Sequence, residues 1–574
     1  MVRKLLFGLL LLNFYSISSN AQSAIYGDEW IEYSQHYFKI KVTADGLYRI
    51  YYPQLNDALA ASGYSLASIN PKNFQLFYRG QEEFIHIEGE ADNVFNETDY
   101  IEFYGRFNNG EIDTRLYEDP NFQANTHASM FTDTSVYFLT WNFSESNNRV
   151  ENLFNNLDAL PTAETHYRFQ SFMMNGTVGV FNKSTSYLSY GVPYLEIYSS
   201  KFEEGEGYTE SRFANSTRTK TLTTTNAYFG DDADAVTLKT VVIGNNDVSH
   251  HYTITVNGVV MTDTSYFGFN MAKYNFILDT IKASNTIAFA SLGGSTDYLR
   301  NGYIDINYAR SWDFNNASRV GFTLANSASA TKYFEVTDFN ESATNPVLYD
   351  LTNHKRIIGI VESDISKFHL SYDASNVDVW LSSQDTLIDI LKITSLTPVT
   401  FKDYSIVANQ GDYIIITNPV LYADIATGVN WVQEYANYRS SFAGGNYNVL
   451  IIDINSLYDQ FAYGDKKNPL AIRDFSLYAA DSFSVAPKYV FLIGKAISYD
   501  YNRNSTTNNN NNLVPTFGTP GSDILLTSRL GEVYPEIPVG RLVARTGDDV
   551  RKYYQKVVEY EAVQQSSMQT IENK

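Results

Sequence analysis

The chain has 574 residues, 44% of them apolar, and a formal net charge of −22 from 42 Lys and Arg against 64 Asp and Glu. This length is too great for one hydrophobic core and predicts three or four domains, and the apolar content excludes global disorder. The acidic balance leaves no basic patch, so we expect no nucleic-acid partner. The absence of Cys excludes disulfides, thiolate metal sites and thiol nucleophiles within these residues.

The first residues have the pattern of an export signal. Arg3 and Lys4 precede the apolar run Leu5–Leu12, and Ser19-Asn20-Ala21 places small residues before Gln22. This pattern predicts a secretory signal peptide over residues 1–21. A membrane anchor is the alternative interpretation, but the apolar run is too short to span a bilayer, and no later segment is long enough. We therefore expect an exported protein without a transmembrane span.

Residues 22–400 are predicted to be rich in β-strands. Alternating apolar and polar residues, with turn signals at Asp45-Gly46, Gly80-Gln81 and Asn257-Gly258, predict hairpins. We expect an N-terminal β domain over 22–150, a sandwich or jelly roll over 165–330, and a small β module over 331–400. The predicted strands are Tyr37–Val42, Leu47–Tyr51, Gln75–Arg79, Phe84–Glu88, Asp99–Gly105, Val136–Trp141, Thr237–Ile243, His251–Val256, Gly258–Met261, Asn275–Leu278, Thr286–Ala290, Ile304–Arg310, Tyr333–Val336, Arg356–Val361 and Val377–Leu381.

Residues 401–574 have a different pattern. Three short apolar runs, Tyr413–Ile416, Val449–Ile452 and Tyr489–Ile493, alternate with helical patterns at Asp424–Arg439 and Pro469–Ala480. Such alternation predicts right-handed βαβ crossovers and a parallel sheet buried on both faces. Chemistry in these sheets lies beyond the carboxyl ends of the strands. Those ends are Thr417–Pro419, Asp453–Asn455 and Gly494–Asp500.

Two groups of residues are candidate metal ligands. His250-His251 lies in a predicted strand, where neighbouring side chains point to opposite faces and no carboxylate cluster shares their register, so a plain strand is favoured. Asp453, Asp500 and Asp523 lie near the carboxyl ends of the parallel strands and allow a calcium site, although capping and turn roles are favoured. No cofactor is predicted beyond this calcium alternative.

No catalytic residue can be assigned within the chain. The last of the eight His residues is His369, so the α/β segment contains neither imidazole nor thiol. A nucleophile there would lack a neighbouring base. We therefore expect this chain by itself to be catalytically inactive.

Five stretches of the α/β segment carry a family resemblance. They are Asp412–Thr417, Ala471-Ile472-Arg473-Asp474-Phe475, Tyr489–Gly494, Val514-Pro515-Thr516, and Ile537–Arg541 followed by a helix that ends at Tyr560-Glu561. In order and spacing they resemble the gingipain-like cysteine peptidases of family C25, and among them the PorU-like sortases of the type IX secretion system of Bacteroidetes. Asp45–Ile50 and Asp99–Gly105 are similar to the N-terminal portion of those sortases. One departure is Gly494-Lys495, where relatives commonly have Gly-Asp.

The resemblance implies a caspase-like α/β domain of which this chain holds the first half. It also implies a Cys–His dyad that forms an acyl-enzyme, removes C-terminal sorting signals and attaches cargo to surface lipopolysaccharide. The implied location is the periplasm and outer-membrane cell surface, with exported proteins and other outer-membrane secretion components as partners. Both dyad residues would lie beyond Lys574, so we expect the polypeptide to continue. The alternative is a complete, catalytically inert surface-binding or assembly protein on the same scaffold.

Overall fold

The structure is a computed structural model that describes residues 26–143, 147–173, 178–181, 199–326, 331–341, 343–371, 376–385, 391–393, 395–503 and 505–572, and the predicted signal peptide lies outside these residues. The α-helices are α1 (Tyr52–Ala61), α2 (Trp431–Ser440), α3 (Ile454–Phe461), α4 (Leu470–Ser482), α5 (Tyr499–Asn502), α6 (Thr506–Asn511) and α7 (Gly547–Glu572). In chain order the strands are β1 (Tyr37–Val42), β2 (Gly46–Tyr51), β3 (Phe74–Tyr78), β4 (Gln81–Glu83), β5 (His86–Glu88), β6 (Tyr100–Gly105), β7 (Ser135–Trp141), β8 (Glu151–Leu153), β9 (Tyr167–Met173), β10 (Val178–Phe181), β11 (Gly207–Glu210), β12 (Thr217–Thr223), β13 (Val236–Gly244), β14 (Ser249–Val256), β15 (Val259–Phe267), β16 (Met271–Leu278), β17 (Ser284–Ser291), β18 (Leu299–Arg310), β19 (Asp313–Ala317), β20 (Arg319–Leu324), β21 (Thr331–Phe339), β22 (Val347–Asp350), β23 (Lys355–Ile358), β24 (Ile360–Glu362), β25 (Ile365–Ser371), β26 (Val377–Ser382), β27 (Leu391–Lys392), β28 (Thr397–Val399), β29 (Tyr413–Thr417), β30 (Val449–Asp453), β31 (Tyr489–Ile493) and β32 (Val539–Leu542).

The N-terminal region is a sandwich of two sheets. One has the order β28-β1-β7-β3-β4 and the other the order β27-β2-β6-β5. Side chains of both sheets enclose one apolar core, in which Phe38, Ile40, Ile50, Ile101 and Leu139 are almost completely buried. The alternating pattern of these strands is what a sheet with one buried face requires.

The hairpin predicted at Asp45-Gly46 is wrong. β1 pairs with β7 and β28, whereas β2 pairs with β6 and β27, so the chain crosses from one sheet to the other at this turn. Both strands bury their apolar side chains in the same core from opposite layers, and this burial outweighs local pairing. The hairpin near residue 80 exists, but its two loop residues are Arg79-Gly80, both with positive φ, and its return strand ends at Glu83.

A nine-stranded sheet, with the order β16-β13-β18-β9-β20-β26-β22-β23-β8, forms the middle of the molecule. The sheet β12-β17-β14-β15 packs on its first part around Leu238, Ile254 and Phe289. The sheet β19-β21-β25-β24 packs on its second part around Phe322 and Phe334. The predicted type I′ turn at Asn257-Gly258 is confirmed, since both residues have positive φ between β14 and β15.

The domain boundaries inferred from the sequence stay a prediction. Strand pairing adds two facts to them. β20 and β26 are neighbours, so strands on either side of residue 331 share one sheet. β27 and β28, at residues 391–399, join the two N-terminal sheets.

The C-terminal segment is a parallel sheet between two helical layers, as predicted. Its order is β30-β29-β31-β32, and all three pairings are parallel. Helices α3 and α4 cover one face, where Phe461 and Phe475 pack near Ile414 and Leu492. Helices α2 and α7 cover the other face around Ile415. The apolar runs form strands because both of their faces are buried.

The helix α3–α4 layer joins the α/β unit to the β-rich region. Its core continues into Leu116, Tyr117, Phe131, Phe202 and Tyr208 of that region. This shared core gives the α/β unit a fixed position on the β-rich domains.

Candidate functional site at the carboxyl edge of the parallel sheet

The four parallel strands end side by side. Thr417 lies opposite Asp453 on one side and Ile493 on the other, and Ile493 lies opposite Leu542. Because β30 and β31 lie on opposite sides of β29, the connections after β29 and β31 leave the sheet in opposite directions, which is the arrangement at which α/β sheets commonly bind ligands. The residues predicted to meet here, Thr417, Asp453 and Gly494, follow or end adjacent strands.

Side chains at the first two strand ends cap the segments that follow. The Asp453 carboxylate accepts a hydrogen bond from the backbone N–H of Asn455 at 2.9 Å and caps α3. The Asn418 side-chain oxygen accepts one from the backbone N–H of Val420 at 3.1 Å. Thr417 is completely buried. Asp453 and Asn418 therefore shape the chain as it leaves the sheet, whereas the buried Thr417 hydroxyl has no hydrogen-bond partner among the described residues.

Arg541 fastens the loop that follows β31 onto this edge. Its guanidinium donates hydrogen bonds to the carbonyl oxygens of Gly494, Val514 and Pro515 at 2.8–2.9 Å. It also donates to both carboxylate oxygens of Asp523 at 2.7 Å, a bidentate ion pair. Because its side chain is only 8% exposed, Arg541 acts as an internal clamp.

The three acidic residues that could have formed a calcium site each bind a different partner. Asp453 caps a helix, Asp523 binds Arg541, and Asp500 accepts a hydrogen bond from Thr519 Oγ1 at 3.0 Å. Across the residues that the structure describes, no three His, Cys, Asp or Glu side chains are grouped so as to hold a metal ion. The capping role favoured from the sequence accounts for Asp453, whereas Asp523 forms an ion pair and Asp500 accepts a hydrogen bond from a distant threonine.

The two adjacent histidines lie on β14, as predicted, but each has an acidic partner that the sequence pattern missed. His250 Nδ1 is 2.5 Å from Asp297 Oδ1 in a completely buried pair. His251 Nε2 is 2.8 Å from Asp263 Oδ1 at the surface. Asp297 is 47 residues from His250, so no local spacing signals the contact.

Lys467 is a second group that sequence reasoning missed. Its ammonium donates a hydrogen bond to the backbone carbonyl of Asn512, next to the loop that Arg541 holds. Burial, with Lys466 adding to it, lowers the pKa of Lys467 to about 8. No motif surrounds this lysine in the sequence. Its amine restrains the Asn-rich loop.

The chemistry that this edge can perform is limited by its composition. Residues 411–562 contain neither His nor Cys, and the hydroxyl-bearing Thr417 is buried. Among the described residues, no helix is long and apolar enough to cross a membrane. Residues 411–562 therefore supply a shaped backbone and fixed loops at this edge, but neither an imidazole nor a thiol.

The C-terminal segment is a three-layer α/β unit with a parallel sheet in the order 2-1-3-4 and a loop held by Arg541. Residues 406–574 match the model of peptidase family C25. The C-terminal segment is that of a C25 peptidase family protein, which confirms the resemblance drawn from the sequence.

The fold of the chain as a whole is similar to that of PorU. A crystal structure of dimeric latent PorU from Porphyromonas gingivalis matches with a TM-score of 0.55 and 13% identity, and covers 92% of this chain and 50% of that one. The chain thus spans about half the length of PorU. The order of β-rich domains followed by a C25 α/β unit is PorU-like.

Smaller β domains also match parts of the chain. The CBM36-1 domain of a multidomain xylanase from the hindgut metagenome of Trinervitermes trinervoides matches with a TM-score of 0.15 and 12% identity, and covers 24% of this chain and 96% of that one. At this score the similarity supports no argument about function. No match was found among curated proteins.

Proposed function

We propose that this chain is the β-rich and first α/β portion of a cell-surface sortase of type IX secretion. The observation that carries the proposal is the C25 segment at residues 406–574 placed behind PorU-like β domains over most of the chain. In this proposal the enzyme is a cysteine peptidase and transpeptidase. It removes C-terminal sorting signals from exported proteins and attaches the shortened cargo to lipopolysaccharide.

The reaction needs a thiolate and a base. In a Cys–His dyad, the imidazole removes the thiol proton and the thiolate attacks the carbonyl, which gives an acyl-enzyme that an acceptor other than water resolves. These 574 residues contain no Cys, so the thiol of the proposed enzyme lies outside them. The contribution of this chain is then the scaffold on which that site is built.

The β-rich region is proposed to recognise the partners, which are exported cargo and outer-membrane secretion components. It fits this role because the described residues before position 400 form several sheets, and this region shares a core with the α/β unit through Leu116, Tyr117 and Phe202. A rigid surface beside a peptidase site can select a folded export domain through a standard interface of about 1,600 Å². The proposed location is the outer-membrane cell surface, reached through the predicted signal peptide.

A second candidate function is a catalytically inert surface-binding or assembly protein on the same scaffold. The observation that favours it is the absence of any Cys among the 574 residues. In that case, partner binding by the β-rich sheets would be the whole activity.

Labelling with an irreversible thiol-directed peptidase inhibitor separates the two functions. The protein is isolated from its native cells, treated with the inhibitor and digested for mass spectrometry. The sortase proposal expects one labelled Cys in a peptide outside the 574 residues, with labelling blocked by prior incubation with a sorting-signal peptide. Unlabelled protein from cells in which cargo secretion is intact would favour the inert scaffold.

A further inference from the structure

A groove of about 630 Å³ lies between the N-terminal sandwich and the nine-stranded sheet. The sandwich contributes Asp45 and Tyr104 to its walls, and the nine-stranded sheet contributes Thr323, Asp378 and Trp380. Its volume is in the range typical of small-molecule sites. All of its lining residues belong to the β-rich region, so the groove is separate from the carboxyl edge of the parallel sheet.

Two aromatic rings form a corner in this groove. Trp380 on β26 lies opposite Gly321 on β20, and a β-carbon at position 321 would come within 2.9 Å of the indole Cε3. Glycine therefore leaves the space that the indole occupies. The ring of Tyr104 on β6 lies 5.3 Å from that of Trp380, with the two planes at 51°. Trp380 is half-buried, with its Nε1 inaccessible and without a hydrogen-bond partner among the described residues, so the indole presents carbon to the groove.

Hydrogen-bonding groups surround the aromatic corner. The exposed Asp378 accepts a hydrogen bond from Thr323 Oγ1 at 2.6 Å through Oδ1, and a carboxylate has further lone pairs for a ligand. The Gln170 amide nitrogen donates to Asp305 at 2.8 Å, and its carbonyl oxygen is a further acceptor. Burial raises the pKa of Tyr104, so its hydroxyl keeps its proton and can donate. The groove thus offers both acceptors and a donor to a ligand rich in hydroxyl groups.

The charges of the groove disfavour an anionic ligand. Asp45 and Asp378 supply two carboxylates, and Arg106 is the one cation among the described residues that line it. The Arg106 guanidinium lies 5.7 Å from the centre of the Tyr104 ring and 3.6 Å from the carboxylate of Glu83. Because the carboxylates outnumber this already paired cation, a phosphate group would be repelled. A neutral ligand fits the balance of charges.

We propose that the groove binds a neutral saccharide whose pyranose rings carry equatorial substituents. One ring stacks its C–H face on Trp380 and Tyr104, because the faces of aromatic rings are electron-rich and sugar C–H bonds carry partial positive charge. Equatorial substituents leave that face free of hydroxyl groups, which then reach Asp378 and Gln170 at the sides. A basic peptide is the rival occupant, but it would use the carboxylates and leave the Tyr104 hydroxyl without an acceptor on a lysine side chain. The inference does not depend on the sortase role.

The test uses the full chain and four small ligands, with binding measured by saturation-transfer NMR. Cellotriose and N,N′,N″-triacetylchitotriose carry equatorial substituents, mannitol has hydroxyl groups without a ring face, and trilysine represents a basic peptide. We expect at least one trisaccharide to bind saturably, with the strongest transfer to its ring C–H protons, and mannitol not to bind. Failure of both trisaccharides to bind would overturn the proposal, and saturable trilysine in their place would identify a basic peptide as the occupant. Binding of mannitol as tight as that of the trisaccharides would also overturn it, because stacking would then contribute nothing.

Two variants and a control locate the site. Trp380→Ala removes the aromatic surface and should weaken trisaccharide binding at least about tenfold. Because Trp380 packs on the buried Leu47 and Val347, the second variant, Asp378→Ala, changes an exposed residue. It should also weaken binding at least about tenfold, through the lost acceptor, while the melting temperature stays the same. The matched control is Phe229→Ala, which removes a 67% exposed ring elsewhere and should leave the affinity unchanged. Unchanged affinity in Asp378→Ala, or an equal loss in Phe229→Ala, would overturn the proposal.

Discussion

Glu102 provides the sharpest test of how the β-rich domains are joined. It lies on β6 and is completely buried. Arg49 Nε of the same sheet contacts one carboxylate oxygen at 2.5 Å, and Arg356 Nε of the nine-stranded sheet contacts the other at 3.1 Å. The Tyr349 hydroxyl donates to it at 2.5 Å. One carboxylate therefore bridges two sheets.

The size of this effect follows from the pKa of Glu102. Burial by itself would raise that pKa, but Arg49 and Arg356, with smaller contributions from His86 and the Tyr349 hydroxyl, outweigh burial and lower it to about 2. Relative to the ordinary value of 4.5, the difference corresponds to about 3 kcal/mol of stability at neutral pH. Removing one partner of a buried ion pair typically costs about 3–5 kcal/mol, which agrees in order of magnitude with the value obtained from the pKa of Glu102.

We therefore predict that Glu102→Gln lowers the free energy of unfolding of the β-rich region by about 3 kcal/mol at pH 7. The melting temperature of the corresponding calorimetric transition should fall by about 6–12 °C for a cooperative unit of 150–250 residues. The matched control is Glu88→Gln on β5, whose carboxylate side chain is 53% exposed and should cost less than about 1 kcal/mol. Replacing Glu102, Arg49 and Arg356 together by Leu, Met and Met should cost less than Glu102→Gln alone.

The pH dependence of stability tests the sign of the Glu102 contribution. Because the folded-state pKa of Glu102 is lowered, its contribution is fully present above pH 4.5 and is lost as pH falls through about 2. The difference between wild type and Glu102→Gln should be constant from pH 7 to pH 5 and shrink below pH 4.5. Equal melting of Glu102→Gln and Glu88→Gln, or a difference that grows on acidification, would refute this account.

Three further predictions concern the α/β unit. Arg541→Met leaves three buried carbonyls and Asp523 without their donor, so protease cleavage within residues 494–523 should rise about 100-fold, whereas Arg545→Met should leave it unchanged. Burial, with Asp113 adding to it, raises the pKa of Asp465 to about 7, so the contribution of Asp465 to stability falls as pH rises from about 4 to about 7. The free energy of unfolding of Asp465→Asn should therefore rise by about 2–4 kcal/mol relative to wild type over that interval. A difference between the two proteins that stays constant with pH would contradict this. Purified residues 22–574 should leave sorting-signal peptides uncut. Cleavage of these peptides, if point substitutions within residues 22–574 abolish it, would contradict the expectation that the catalytic residues lie outside this chain.

Local patterns were sufficient where burial alone decides the structure. The apolar runs at 413–416, 449–452 and 489–493 all form strands of the parallel sheet, because a short β-branched run covered on both faces has few alternatives. Asn257-Gly258 formed its turn because both residues tolerate positive φ.

Predictions from the sequence failed, or could not be made, where contacts between residues far apart in the chain determine the structure. Asp45-Gly46 has the sequence of a hairpin turn, but strands β6 and β7, far along the chain, take the pairing partners. Glu102 meets Arg49 and Arg356 across 53 and 254 residues, and Asp297 lies 47 residues from His250. No spacing rule connects such groups, so sequence reasoning located the carboxyl edge but missed the Arg541–Asp523 clamp that shapes it.

The central claim, that this scaffold belongs to a sortase, is tested most directly by the fate of cargo. The protein isolated from its native cells is incubated with an exported protein that carries a C-terminal sorting domain, and the cargo's new C-terminus is analysed by mass spectrometry. We expect the cargo to lose its sorting domain and to carry a lipopolysaccharide-derived group at its new C-terminus, and we expect a thiol-directed inhibitor to block both changes. Intact cargo bound to the protein would contradict catalysis and leave the inert scaffold as the function.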